Sequence, residues 1–195
     1  MKKVIAIVLA LLCVVSVFAS CGNNQEEQIT TNGSEIVPGE SYYPMGDEIF
    51  KGIESYDLNG NKVNDKIFKG KKLTMVNIWG TFCSACISEM PNLQVLSEEY
   101  ADKDFQIIGI VCDTYADDEA RIKLAKEICK DTGAEYVSIV ASASLDAAIL
   151  DTVMSVPTTF FLNEKGEQFD QNYIGSKGIE RWRAIIDSIY AEMEQ

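Results

Sequence analysis

The chain has 195 residues and a formal net charge of −13, from 17 lysines and arginines against 30 aspartates and glutamates. Such an acidic balance argues against nucleic acid as a partner. Histidine is absent, which excludes every Ser-His, Cys-His and His-metal arrangement and leaves acid-base work to carboxylates, lysines, tyrosines or cysteines.

Residues 1–20 have the parts of a secretory signal: Lys2 and Lys3, then an apolar run over residues 4–19. That run is shorter than the roughly 18 to 20 residues a spanning helix needs. The small residues Ala19-Ser20 before Cys21 look like a bacterial lipobox, with Phe18 where leucine is usual. By that resemblance Cys21 becomes the lipidated N-terminus. An ordinary cleaved signal or an uncleaved anchor is the alternative, and all three place the globular part outside the cytoplasm. Residues 21–45 are polar, without helical or strand period, and read as a flexible tether with a root-mean-square reach of about 25 to 30 Å. Residues 46–195 fit one domain with a full core. Removing Lys2 and Lys3 with the signal takes the net charge from −13 to −15. Such a surface is not drawn to anionic lipid, so attachment to a membrane falls to the lipid chain.

Residues 49–57 and 62–64 are expected to pair as a hairpin, with Asn59-Gly60 supplying the positive φ angles of a tight turn. Residues 73–79 (LTMVNIW) are apolar nearly throughout, as a strand covered on both faces should be. A helix follows to about residue 100, kinked by Pro91, and residues 105–111 form a second buried strand. Asp117 and Asp118 open a helix to about residue 131. Residues 136–140 are a third strand and 145–153 a short helix. After Pro157, residues 158–162 and 167–174 flank Asn163-Glu164-Lys165-Gly166 as an antiparallel hairpin, and the last helix covers 179–193. Alternating strands and helices closed by a hairpin and a helix give an α/β sandwich with a mixed sheet. Its functional edge lies beyond the carboxyl ends of the parallel strands, where Cys83 and Cys86 fall.

A nucleophilic sulfur must be a thiolate, and a helix N-terminus stabilises one through its unpaired N–H groups and its dipole. Cys83 has that position, and Cys86, one turn on, can resolve a mixed disulfide. A structural zinc site wants four ligands, usually two such pairs or a pair plus histidines. A staple across so short a loop constrains the unfolded chain little. The pair therefore reads as a redox couple ahead of a staple or a metal clip.

Asn77, Trp79, Cys83, Cys86, Glu89, Met90 and Pro91, with Val156-Pro157-Thr158-Thr159-Phe160 further on, resemble the TlpA/ResA-like branch of the thioredoxin superfamily, membrane-tethered thiol-disulfide oxidoreductases. The resemblance implies a thioredoxin-like fold with a mixed central sheet, an N-terminal hairpin and a strand-helix insert between Cys112 and Met154. It makes Cys83 the attacking thiol, Cys86 the resolving one and Pro157 a cis-proline. Trp79, Phe82 and the Val156-Pro157 backbone would meet an extended substrate segment. Thioredoxin itself carries a buried aspartate where this chain has Asn77, which makes Glu89, three residues after Cys86 on the same helix face, the candidate proton acceptor. Phe82 stands where tryptophan is common, and Ser84-Ala85 replaces a pair with proline second, so the direction of electron flow stays open. Peroxiredoxins place Thr or Ser three residues before the reactive cysteine, whereas Thr81 is two before Cys83.

The family reading is a tethered disulfide reductase acting as a monomer on exported proteins, by analogy apocytochrome c or a methionine sulfoxide reductase. A membrane thiol transporter would restore its dithiol, and no cofactor or metal is expected beyond the cysteine pair. The alternatives are an oxidase that donates its disulfide and a non-catalytic binding lipoprotein.

Cys112 is expected to end the second strand on the edge that carries Cys83. Cys129 lies about 18 Å along the following helix at 1.5 Å per residue, too far for a bridge that needs α-carbons within about 7 Å. Both are expected as free thiols, Cys129 as a small core residue in line with Ile122 and Ala125, and Cys112 as a core residue with a third redox thiol as the alternative.

Overall fold

The computed structural model describes residues 47–195. The signal over 1–20, the lipidation at Cys21 and the tether over 21–45 lie outside the described residues.

Among the described residues seven strands and four α-helices follow in order: β1 (Glu54–Tyr56), β2 (Lys62–Asn64), β3 (Leu73–Trp79), α1 (Ser84–Glu99), β4 (Phe105–Tyr115), α2 (Glu119–Thr132), β5 (Ser138–Ala141), α3 (Ala143–Ala148), β6 (Thr158–Asn163), β7 (Tyr173–Ile174) and α4 (Ile179–Met193). β1 and β2 form the N-terminal hairpin, and the main sheet runs β5-β4-β3-β6-β7. β3, β4 and β5 are parallel, while β6 pairs antiparallel with β3 and β7 with β6. This is the thioredoxin-like arrangement, with α2, β5 and α3 as the insert.

β3 is buried at all seven positions, because both faces of the sheet are covered. Met75 and Trp79 join Met90, Leu93, Phe161, Trp182 and Ile186 on one side. Val76 and Ile78 join Phe50, Phe68, Ile110, Leu145 and Phe160 on the other. α4 buries Trp182, Ile185, Ile186, Ile189 and Tyr190 as one apolar stripe. α1 continues through Pro91 without interruption. α2 begins where the Asp118 side chain accepts from Arg121 N–H and ends at Gly133, whose left-handed φ of +70° satisfies the last turn.

The structure corrects several expectations. β1 begins at Glu54, because the residues before it are turns. Gly60 alone of the expected Asn-Gly pair has positive φ. The Asp57 carboxylate shapes that loop instead, accepting from Asn59 and Asn61 N–H at 2.9 and 2.8 Å. The expected third helix stops at Ala148 and gives way to a 3₁₀ turn over Leu150–Thr152. β7 is two residues long, since the chain before it turns away after one bridge between Leu162 and Gln168. β4 runs on through Cys112 to Tyr115 by means of an irregularity in its register with β5.

Candidate active site

After Trp79, three residues (Gly80, Thr81 and Phe82) carry the chain from the end of β3 to α1, and Cys83 caps that helix with its sulfur. Cys86 N–H donates to Cys83 Sγ at 3.1 Å. The two cysteines are joined as a disulfide with α-carbons 5.3 Å apart. Cys83 is 8 % exposed and Cys86 1 %, so an approaching thiolate meets Cys83 first. The helix N-terminus and the N–H on Cys83 Sγ both favour negative charge there once the bond opens.

The Val156-Pro157 peptide is cis and lies against the pair, with the Val156 carbonyl oxygen 3.6 Å from Cys83 Sγ. The Pro157 carbonyl is taken by Gly175 N–H at 2.8 Å, which ties the segment to β7. Phe82 is 71 % exposed and folds over Gly80, where a β-carbon would lie 2.6 Å from its ring. A β-carbon at residue 80 would push the exposed ring aside. Trp79, expected at the substrate surface, is fully buried and belongs to the core. It is the last residue of a strand covered on both faces, so it supports the site from below.

Glu89 is buried on α1, and its Oε1 accepts from Lys177 N–H and Trp182 Nε1–H, both at 2.7 Å. Its Oε2 is buried without a partner among the described residues. Burial pushes this carboxyl above its ordinary value, against the opposing effect of the two donors. Asn77, also buried, donates from Nδ2 to Thr159 Oγ1 at 3.1 Å and so links β3 to β6.

Two contributors were not read from the sequence. Asp113 holds the loop before Cys83: its carboxylate accepts from Thr81 N–H at 2.9 Å, from Thr81 Oγ1–H and from Arg121 at 2.7 Å. Nothing local in the sequence marks it, because its partners lie 32 residues before and 8 after. Trp182 sits on the apolar stripe of α4, and that periodicity signals its burial but not its bond to Glu89.

Cys112 and Cys129 are free and half-buried. Burial and the neighbouring Asp113 push the Cys112 thiol up to about 11. Cys112 nevertheless lines a groove of about 620 Å³ beside Cys83, with Phe82, Tyr115, Met154 and Val156. Cys129 packs on the core cluster that holds Ala125, with Ile122 beside it. Among the described residues no cluster of carboxylates and cysteines is arranged to hold a metal ion.

A family model described as Redoxin matches residues 44–172. Thioredoxin-like protein YneN of Bacillus subtilis (strain 168) is 32 % identical over 109 residues, 56 % of this chain and 60 % of its own length. Thiol-disulfide oxidoreductase ResA of Bacillus thuringiensis subsp. konkukian (strain 97-27) is 30 % identical over 117 residues, 57 % of this chain and 60 % of its own. The chain thus spans about three fifths of the length of these relatives. Among solved structures, a DsbF homologue from Corynebacterium diphtheriae superposes with a TM-score of 0.60 at 24 % identity, over 80 % of this chain and 98 % of that one. This last likeness concerns the fold.

Proposed function

The chain belongs to the redoxin family, and from that premise we propose that it is a thiol-disulfide oxidoreductase, held outside the cytoplasm, that reduces disulfides in exported proteins. The observation that carries the reading is Cys83 Sγ at the N-terminus of α1, accepting from Cys86 N–H beside the Val156-Pro157 segment.

In the dithiol form the Cys83 thiolate attacks one sulfur of a substrate disulfide, and the other leaves as a thiolate. The chain and the substrate are then joined by a mixed disulfide. Cys86 gives its proton to the Glu89 carboxylate and attacks Cys83 Sγ. That closes the Cys83–Cys86 bond and releases the second substrate sulfur as a thiolate. Two electrons pass from the pair to the substrate, and protons from Glu89 and solvent neutralise the products. The Val156 and Pro157 backbone and Phe82 receive the substrate segment.

The signal-like leader and Cys21 support a reading in which the chain is tethered by lipid outside the cytoplasm and a membrane thiol transporter restores the dithiol. Apocytochrome c and methionine sulfoxide reductase are substrates of suitable chemistry, and the chain acts as a monomer.

The test is the reduction potential of the Cys83–Cys86 couple, joined to insulin reduction in dithiothreitol. A value near or below about −250 mV with accelerated insulin precipitation supports a reductase. A value near about −120 mV reverses the direction and makes the chain an oxidant. Absence of a reversible two-electron couple overturns the enzymatic reading.

A further inference from the structure

The groove beside Cys83 has two features that the chemistry of the cysteine pair does not require. Its rim carries two large apolar side chains in the open, Phe82 at 71 % and Met154 at 92 % exposure. Exposed apolar side chains gathered at one cleft mark a contact surface. Its lining also carries two carboxylates, Asp146 on α3 and Asp151 just beyond it, and no lysine or arginine is among the described lining residues.

The nearby Asp113 is compensated, paired with Arg121 at 2.7 Å. Among the described residues Asp146 and Asp151 have no such cation. The Tyr115 hydroxyl donates to Asp146 at 3.1 Å, which ties the end of β4 to α3.

We propose that this groove selects its substrates by charge. Its occupant is an extended cystine-bearing segment of an exported protein with an apolar side chain beside the reactive cysteine and a lysine or arginine close by. The apolar side chain lies between Phe82 and Met154 while the cation meets Asp146 and Asp151. This rests on the reductase reading of Cys83 and Cys86 and adds the substrate class to it. An uncompensated pair at an open groove acts chiefly on the rate of encounter, and salt weakens it.

The test uses the full chain in its dithiol form and three disulfide-bonded peptides of equal length, with leucine beside the cysteine and lysine, glutamine or glutamate next to it. Reduction rates are measured at low and at high salt. The lysine peptide is expected to react about tenfold faster than the glutamate peptide at low salt, with the gap closing at high salt. The double variant Asp146→Asn, Asp151→Asn should shrink that gap to about twofold, by removal of the local charges. A control with Glu127→Gln and Asp131→Asn, exposed on α2 outside the groove, should keep it, which separates the groove from the acidity of the whole chain. Met154→Ser should slow all three peptides.

Equal rates for the three peptides, or a gap that survives in the groove variant, overturn the proposal while the reductase reading stands, since the peptides are reduced. A dimer whose formation slows all three alike assigns the groove to a second copy and also overturns it. No reduction of any peptide above the dithiothreitol background removes the reductase reading and the proposal with it.

Discussion

Replacing Glu89 by glutamine tests the proton-acceptor role and the anchoring role in one variant. Wild-type Oε1 accepts two hydrogen bonds of 2.7 Å, from Lys177 N–H and Trp182 Nε1–H. Bonds to a charged acceptor contribute about 1.5 to 3 kcal/mol each and neutral ones about 0.5 to 1.5, so the change to an amide oxygen loses about 2 kcal/mol over the pair. The new amide nitrogen, placed where Oε2 has no partner among the described residues, adds about 1 kcal/mol or more of unsatisfied donor. Relief of a desolvated charge opposes these losses at neutral pH, because burial outweighs the two donors. The variant's deficit against wild type should therefore be largest near pH 4, where Glu89 is protonated, and smallest at neutral pH, measured by urea denaturation of the disulfide form at both.

The pH dependence has a fixed sign. Because the Glu89 carboxyl is raised from its ordinary 4.5, the folded chain binds more protons than the unfolded one in the window from 4.5 up to the raised value. The contribution of Glu89 to stability is therefore full below 4.5 and is lost as pH rises through the folded value. In Glu89→Gln this contribution is absent. If Glu89 takes the Cys86 proton, the variant should form the mixed disulfide through Cys83 at the wild-type rate and resolve it about 100-fold more slowly, the low end for acid-base catalysis. Rapid quenching with acid, followed by mass spectrometry, would show the mixed disulfide accumulating. Resolution within twofold of wild type, together with the stability loss, would refute the acid-base role and leave Glu89 as an anchor for α4.

Trp182→Phe removes one of the two donors that favour the Glu89 carboxylate, so the pH midpoint of resolution should move to more alkaline values. An unchanged midpoint would break the link between the two residues. Asp113→Ala leaves Thr81 N–H without its 2.9 Å acceptor and should destabilise the chain by about 1 to 3 kcal/mol, whereas Asp113→Asn keeps an acceptor oxygen and should lose less. Urea midpoints for the two variants would check the order. Gly109→Ala places a β-carbon 2.5 Å from Ser138 Oγ and 3.1 Å from Trp79 Nε1, an overpacking worth about 1 to 3 kcal/mol. A melting temperature equal to wild type would contradict that geometry. Cys112, with its thiol pushed up to about 11, should resist iodoacetamide at pH 8 while Cys83 of the dithiol form is alkylated, because the thiolate is the reacting species. Peptide mapping that found both labelled at one rate would overturn the assignment.

The parts of this fold that one-dimensional patterns report are those buried uniformly or periodically. β3 and α4 were legible at their observed bounds because one is apolar at nearly every position and the other shows a clean helical stripe. The cysteine pair was legible because its spacing is itself the chemistry. Elements held by long-range bonds were not. β7 shrinks to two residues, and β4 extends through Asp113 and Thr114 to Tyr115 although those residues look like the start of a loop. Trp79 and Phe82, three residues apart, were equivalent as aromatic neighbours of the cysteines. The strand keeps Trp79 in the core, and the turn after it releases Phe82 to solvent. The groove wall is assembled from residues 82, 115, 146, 151 and 154, whose proximity no local pattern could give.

In the proposed mechanism the buried acid stands on α1 as Glu89, while β3 carries the neutral Asn77. An acid on β3 keeps its distance from the second cysteine only as long as α1 stays packed on the sheet. An acid three residues after Cys86 on α1 holds that relation through the helix itself. Asn77 is then free to join β3 to β6 through Thr159, a link between neutral groups that does not change when the cysteines titrate. The acid becomes dependent on another element instead, since both donors to Glu89 Oε1 belong to α4 or the residue just before its cap. Proton affinity at the proposed acceptor is thus set by how α4 docks on α1. Changes on the inner face of α4, well away from the sulfurs, should reach the redox chemistry through Glu89 before they reach it through the cysteines.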